Sequence, residues 1–153
     1  VHSWHIAGNM HIIMDTCVLV AAVRSPTGAS AELVRRVLKR QLRMAASVPL
    51  FLEYEAVLLR PALLEVAQAQ EEDIVNLLDV LAGLIQPVEI QFLWRPQLRD
   101  AADDMVLEAA VNGQVSTLVT VNTRDFLPQA LSFGLEVCLP GVFLGKLREG
   151  EMK

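Results

Sequence analysis

The sequence alternates short apolar runs with longer segments whose apolar residues recur at helical spacing. The apolar runs predict strands at residues 11–14, 42–46, 88–94, 117–121 and 135–139. Helical patterns lie between them at residues 16–23, 31–41, 47–60, 71–85 and 100–111, with shorter helical turns predicted at 61–67, 127–133 and 140–147. Strands joined through helices in this way run parallel. We therefore expect an α/β fold, a three-layer α/β/α sandwich with a mostly parallel central sheet.

The length of 153 residues is typical of one compact domain, which we place at residues 10–150. Residues 1–9 do not resemble a signal peptide, and we interpret them as an N-terminal extension or an expression remnant, with Met10 as the natural start. The longest apolar run, residues 17–23, is far shorter than the ~20 residues that span a bilayer. Cys17 and Cys138 lie in separate apolar runs, as buried free thiols of a reducing compartment do. We expect a cytoplasmic protein without a membrane segment.

The three histidines, His2, His5 and His11, all lie at or before the first predicted strand. No later histidine is present for a Ser-His-Asp or Cys-His pair, or for a zinc site with the usual nitrogen and sulfur ligands. The phosphate-loop pattern G-x-x-x-x-G-K-[ST] is also absent from the sequence. Chemistry in this chain would therefore rely on carboxylates, hydroxyls or lysine.

The net charge is −5, from 13 Lys and Arg against 18 Asp and Glu. This balance argues against a protein that binds nucleic acid through bulk positive charge, so any such contact would be local. One local candidate is the basic run on the helix predicted at residues 31–41. Its members, Arg35, Arg36, Lys39 and Arg40, form either a solvated helix face or a surface that contacts phosphates or a partner.

Acidic residues follow the predicted strands, where ligands of open α/β sheets bind. Asp15 ends the first strand and is the one charged residue between His11 and Arg24. A lone carboxylate in such a segment needs a pairing partner, a proton or a metal ion, unless it caps the following helix. Asp125 comes just after the strand at 117–121, although residues 122–125 could also form a simple turn.

Two further acidic positions come from predicted helices. Glu55 lies four residues after Phe51 and three before Leu58, on an apolar stripe. Asp100, Asp103 and Asp104 open the helix at 100–111, where acids also complement the helix dipole. Asp104 shares a face with Leu107 and Val111 and is predicted to point toward the packed side, whereas Asp100 is better placed as the cap.

Five segments in this order resemble the PIN domain family, and more narrowly its VapC-like branch of toxins from bacterial toxin–antitoxin pairs. They are MDTCVLV at 14–20, RSPTGAS at 24–30, YEAVLLRP at 54–61, RDAADD at 99–104 and VTVNTRDF at 119–126. The resemblance covers the chain from about Met10 to Leu147.

The resemblance implies a Mg²⁺- or Mn²⁺-dependent endoribonuclease with one or two ions. Its catalytic and metal-binding acids would be Asp15, Glu55, Asp104 and Asp125. The supporting positions would be Thr120, Asn122, Asp103 and Thr16, with Asp103 as a substitute third acid and Thr120 orienting a carboxylate or a metal-bound water. Hard divalent cations prefer such oxygen ligands. One ion would activate water for in-line attack on a phosphodiester, and a second would stabilise the leaving oxygen.

The chain departs from the family pattern at two positions. Cys17 stands where the family commonly has Asn, and Asn122 stands where it often has a second Asp. The alternative function is therefore a catalytically weakened PIN-like module that binds RNA or protein, and a DNA-directed nuclease is a third possibility. The resemblance also implies a small antitoxin partner and a homodimer. The candidate RNA or partner contact at Arg35, Arg36, Lys39 and Arg40 rests on their charge pattern alone.

Overall fold

The structure, a computed structural model, describes residues 11–91 and 97–152. Its centre is a sheet of five parallel strands in the order β3-β2-β1-β4-β5. The strands are β1 (His11–Met14), β2 (Arg43–Ser47), β3 (Gln86–Val88), β4 (Thr117–Val119) and β5 (Glu136–Cys138). β1 pairs with both β2 and β4 and so lies in the middle of the sheet. The predicted α/β sandwich with a parallel sheet is confirmed.

Seven α-helices connect and follow these strands within the described residues. They are α1 (Thr16–Arg24), α2 (Ala29–Leu38), α3 (Val48–Leu58), α4 (Pro61–Ala67), α5 (Glu71–Leu84), α6 (Ala101–Asn112) and α7 (Pro140–Met152). Two short 3₁₀ helices, Thr123–Asp125 and Gln129–Phe133, lie between β4 and β5.

The helix starts follow local chemistry. Ser47 caps α3 by accepting a hydrogen bond from the backbone N–H of Leu50, and Pro49 lies in the first turn, where its missing N–H costs nothing. Asp100 caps α6 by accepting from the N–H of Ala102 at 2.9 Å, as the sequence predicted. This cap leaves the next two acids of α6, Asp103 and Asp104, free for other roles.

The core lies on both faces of the sheet. Ile12, Ile13 and Met14 of β1 are all fully buried, which explains why this strand is a continuous apolar run rather than an alternating one. Helices cover the sheet, and the site residues emerge where the strands end.

The strand predicted at residues 88–94 is wrong in its position. β3 is Gln86–Val88, residues 89–91 are not in a strand, and residues 92–94 lie outside the described part of the chain. The position follows from pairing, because Ala45, Ala46 and Ser47 of β2 meet Gln86, Pro87 and Val88, and β2 ends there. An edge strand also tolerates Pro87, whose missing N–H interrupts no inner ladder.

The last helix is longer than predicted, since α7 continues to Met152. Residues 1–9 lie outside the described residues. Among the described residues, no helix is by itself long and apolar enough to cross a membrane. α1 and α2 reach that length and apolar content only when taken together, and they are bent by 102° relative to each other.

Candidate functional site

Asp15 stands at the carboxyl end of the central strand. Its backbone N–H donates to the carbonyl of Val119 at 3.0 Å, so the ladder between β1 and β4 continues through it. Its side chain does not cap α1. Instead Oδ2 accepts hydrogen bonds from Thr120 Oγ1 at 2.8 Å and from Cys17 Sγ at 3.2 Å. The carboxylate is therefore held by side chains rather than used to start the helix.

Thr120 is fully buried and links Asp15 to the segment after β4. Its hydroxyl donates to Asp15 and accepts from the N–H of Asn122 at 3.0 Å. Two roles were predicted for Thr120, and this hydrogen bond corresponds to the first, the orientation of a carboxylate. Thr16, the first residue of α1, is buried beside this cluster, and Asn122 is exposed.

Cys17 supplies the second hydrogen bond to Asp15. Burial, and next the charge of Asp15, raises the pKa of the Cys17 thiol to about 11. The thiol is therefore neutral near pH 7 and carries the hydrogen that it donates. Although Cys17 departs from the family pattern, it still acts as a donor to Asp15.

Asp104 is buried on the packed side of α6, as predicted. Its Oδ1 accepts from the backbone N–H groups of Gln97 and Leu98 at 3.1 and 3.0 Å. These bonds fix the segment that leads into α6. The metal-ligand role assigned to Asp104 stays a prediction.

Asp103 is half-buried one residue earlier on the same helix. The pKa of Asp103 is raised to about 6. Burial is the largest cause, and the charges of Asp15, Asp125, Asp100 and Asp104 add to it in that order. The two strongest of these charges come from other elements, the ends of β1 and of the 3₁₀ helix Thr123–Asp125. Asp103 therefore lies within the electrostatic influence of Asp15 and Asp125.

A cavity of about 600 Å³ opens beside these acids. It lies between the start of α6 and the segment from Arg124 to Gln129. Asp100, Asp103 and Asp125 line it, together with Arg99 and Arg124. The two arginines were not among the predicted site residues, although they directly precede Asp100 and Asp125 in two of the segments that resemble the PIN domain family.

Glu55 is half-buried on α3 and is not part of this cavity lining. The residue before it, Tyr54, is fully buried and donates its hydroxyl to the carbonyl of Met14 at 2.5 Å. That bond ties α3 to the end of β1, next to Asp15. The role of Glu55 as a metal ligand stays a prediction.

The acids fit a hard divalent cation by their chemistry, because all are oxygen donors and they repel one another. Within residues 11–91 and 97–152, no group of three or more His, Cys, Asp or Glu side chains is arranged to hold a metal ion. A cation here would rely on one or two of these carboxylates, with water and substrate phosphate as its other ligands, as Mg²⁺ commonly does.

The basic residues on and just after α2 are not all solvated, which differs from one of the two interpretations given above. Arg36 is buried and forms ion pairs with Glu32 and with Glu151 of α7. Arg35 pairs with Glu32 at 2.9 Å and donates to the carbonyl of Pro26 at 2.8 Å. Lys39 and Arg40 are exposed. Arg36 is thus a packing residue, since its guanidinium is already used to join α2 to α7.

Comparison with known proteins agrees with this architecture. The model of the PIN domain family matches residues 11–124. The chain therefore belongs to the PIN domain family. No curated protein matches it.

Among solved structures, the fold is similar to a chain in the crystal structure of VapBC2 from Rickettsia felis bound to a DNA fragment from their promoter. The TM-score is 0.56 and the sequence identity 16%, and the match covers 85% of this chain and 98% of that chain. At this identity the likeness concerns the fold.

Proposed function

We propose that this protein is a divalent-cation-dependent endoribonuclease, acting in the cytoplasm as the toxin of a toxin–antitoxin pair. The observation that carries the proposal is a cavity lined by Asp103 of α6 and Asp125 after β4, where the charges of Asp15 and Asp125 contribute to raising the pKa of Asp103. Membership of the PIN domain family supports it.

The acids repel one another in a partly buried site, and a bound cation would relieve this repulsion. Asp15 and Asp125 are the first candidates for ligands, with Asp103 from α6 as the third and Glu55 and Asp104 as the remaining ones. Mg²⁺ or Mn²⁺, as one or two ions, would supply charge neutralisation and activation of water for hydrolysis of the phosphodiester bond.

The chain's own residues prepare this site. Thr120 and Cys17 both donate to Oδ2 of Asp15 and so fix the orientation of that carboxylate. Asp104 fixes the Gln97–Leu98 backbone in front of α6. Such fixed geometry is what in-line displacement needs, because misplacement of a reacting group by about 1 Å can cost ~10²-fold in rate.

The test is cleavage of single-stranded RNA by the purified full chain in Mg²⁺, in Mn²⁺ and in EDTA. We expect cleavage in both metals and none in EDTA. Asp15→Asn and Asp103→Asn should each lower the rate by ~10²-fold or more. Asp79→Asn removes one exposed negative charge from α5 and serves as the matched control, with an unchanged rate. A wild-type protein that leaves RNA intact in both metals would rule out the nuclease.

A catalytically weakened module that binds RNA or protein is the second candidate. Two observations favour it: Asn122 lacks the charge of a further Asp, and no three ligands within the described residues are arranged around one point. It predicts RNA binding with no cleavage in either metal. Parallel assays on single-stranded DNA of the same sequence separate a ribonuclease from a DNA-directed nuclease.

The partners proposed are a second copy of the chain and a small antitoxin. Apolar side chains at the surface of α3 support an interface, since Val48 and Leu52 are 69% and 56% exposed. The solved relative is itself named as VapBC2. Toxicity on expression, relieved by Asp15→Asn, would support the toxin role. Elution at the monomer mass across a dilution series would contradict the homodimer.

A further inference from the structure

The cavity beside the acids has two walls of matching composition. One wall is the segment before and at the start of α6, with Leu98, Arg99 and Asp103. The other follows β4, with Arg124, Asp125 and Leu127. Each wall thus contributes an apolar side chain, a guanidinium and a carboxylate.

The two arginines are available to a ligand. Both are exposed, and neither Arg99 nor Arg124 forms an ion pair with another residue in the described part of the chain. Within the described residues neither arginine pairs with the acids that line the same cavity. This contrasts with Arg35 and Arg36 of α2, whose guanidinium groups are already bonded to Glu32.

The lining of the cavity also contains apolar side chains. Leu98 is buried in the first wall, and Leu127 and Pro128 are exposed in the second. The volume of about 600 Å³ falls within the usual range of ~300–1,000 Å³ for small-molecule sites, so one nucleotide fits.

We infer that this cavity is a nucleotide-binding site in which Arg99 and Arg124 hold the phosphates of a single-stranded phosphodiester chain next to the carboxylates. Guanidinium groups bind phosphate through paired, charge-assisted hydrogen bonds. Single-stranded character follows because a base must leave its stack to reach a walled cavity. The inference rests on the proposed function for the identity of the chain as RNA.

A protein with a net charge of −5 needs a local positive charge to bind RNA, and Arg99 and Arg124 supply it at the cavity. The sequence left Arg35, Arg36, Lys39 and Arg40 either as a solvated face or as a surface that contacts phosphates or a partner. Arg99 and Arg124 line the same cavity as Asp103 and Asp125 and carry no competing ion pair among the described residues. RNA affinity should therefore depend on Arg99 and Arg124 more than on α2.

The experiment measures binding of a fluorescent single-stranded RNA by anisotropy, in EDTA, so that cleavage does not interfere. It compares the wild-type chain with the double variant Arg99→Gln and Arg124→Gln. The charge-matched control is Lys39→Gln with Arg40→Gln, which removes two positive charges from exposed positions directly after α2. Melting by circular dichroism checks that each variant is folded, and single-stranded DNA and duplex RNA of the same sequence are further arms.

We expect the cavity variant to bind single-stranded RNA roughly 10- to 100-fold more weakly, since it loses two charge-assisted contacts. The slope of log K against log salt should fall by about 1.4, or ~0.7 per phosphate contact. The basic-helix control should change less in both measurements. Equal losses in the two variants, or an unchanged slope in the cavity variant, would overturn the site.

The remaining arms separate this site from the proposed function. Duplex RNA that binds as tightly as the single strand would overturn the single-stranded character of the site. Single-stranded DNA that depends on the same arginines would support the site while directing the activity to DNA. If RNA binds through these arginines but is not cleaved in Mg²⁺ or Mn²⁺, the result would support the binding site and contradict the proposed nuclease activity.

Discussion

The hydroxyl of Thr120 donates to Oδ2 of Asp15 at 2.8 Å and joins the carboxyl ends of the neighbouring strands β1 and β4. The same oxygen of Asp15 also accepts from Cys17. Both donors therefore act on one carboxylate oxygen and fix the orientation of the carboxylate. Five predictions follow from this geometry and from the charges around it.

Thr120→Val removes the hydroxyl but keeps the shape of the buried side chain. We expect the free energy of unfolding to fall by about 1–3 kcal/mol, because Asp15 loses a donor and the N–H of Asn122 loses its acceptor. RNA cleavage should fall as well. Urea denaturation and a cleavage assay measure the two effects, with Thr120→Ser as the variant that keeps the hydroxyl. A Val variant as active as the Ser variant would contradict the positioning of Asp15 by Thr120.

Cys17 should resist alkylation at neutral pH, since its pKa of about 11 keeps it a thiol. In a Cys138→Ser background, iodoacetamide should modify Cys17 slowly at pH 7–8 and faster as the pH rises toward 11. Mass spectrometry follows the reaction, and the urea-unfolded chain is the control, with the faster reaction of an ordinary thiol. Rapid modification of the folded chain at pH 7 would show that the thiol does not donate to Asp15.

The charge of Asp103 should destabilise the fold at neutral pH. Its pKa rises from the ordinary value of 3.8 to about 6 on folding, so the folded state keeps a proton that the unfolded chain releases between these values. The contribution of Asp103 to stability therefore decreases as the pH rises through this interval and stays low above it. Asp103→Asn should remove this part of the pH dependence and raise the melting temperature at pH 7.

Thermal melts at pH 4 to 8 test this prediction, with Asp79→Asn as the exposed control that should leave the profile unchanged. Added Mg²⁺ should raise the melting temperature of the wild type at pH 7, because a bound cation relieves the repulsion. The Asp103→Asn variant should respond less. A variant with the same pH profile as the wild type would be evidence against the charge cluster.

Asp104→Asn separates the positioning of a backbone segment from metal binding. One amide oxygen can still accept from Gln97 and Leu98, but it lacks the charge, so we expect a loss of about 1–2 kcal/mol in the free energy of unfolding. The shift in melting temperature caused by Mg²⁺ should persist. If that shift disappears in Asp104→Asn and persists in Asp103→Asn, Asp104 is the ligand, as the sequence analysis first assigned.

Arg36→Met should weaken the attachment of α7 to α2. Arg36 is buried and pairs with Glu151 and Glu32, so its loss removes the partner of Glu151, whereas Glu32 keeps its ion pair with Arg35. We expect the free energy of unfolding to fall by about 1–3 kcal/mol, below the value for a fully buried pair because Glu151 is partly exposed. Arg35→Met, at an exposed pair, should cost less than ~1 kcal/mol. Similar losses in both variants would contradict the buried character of the Arg36 pair.

The order of strands and helices was predictable because apolar runs and helical periodicity are local properties of the sequence. The position of β3 was not, since residues 88–94 alternate like a strand while pairing with β2 ends at Val88. Length of a parallel strand is set by its neighbour in space. The extension of α7 to Met152 similarly follows a contact with α2 through Arg36 and Glu151.

The candidate site shows the same division. The burial of Asp104 and the cap at Asp100 followed from helix geometry, and both are confirmed. The effect of the charges of Asp15 and Asp125 on the pKa of Asp103 depends on how α6 lies against two strand ends, which is not a local property of the sequence. Arg99 and Arg124 each precede an acid of a recognised segment, but their common cavity needs the fold.

The place of β1 in the middle of the sheet has a consequence for synthesis. β1 and β2 leave the ribosome early, whereas β4, the other neighbour of β1, begins only at Thr117. Until then the nascent chain presents one open edge of a buried strand, which favours chaperone contact and aggregation. Thr120 also arrives in that last part, so a nascent chain carries Asp15 without the hydroxyl that orients its carboxylate until β4 has been made.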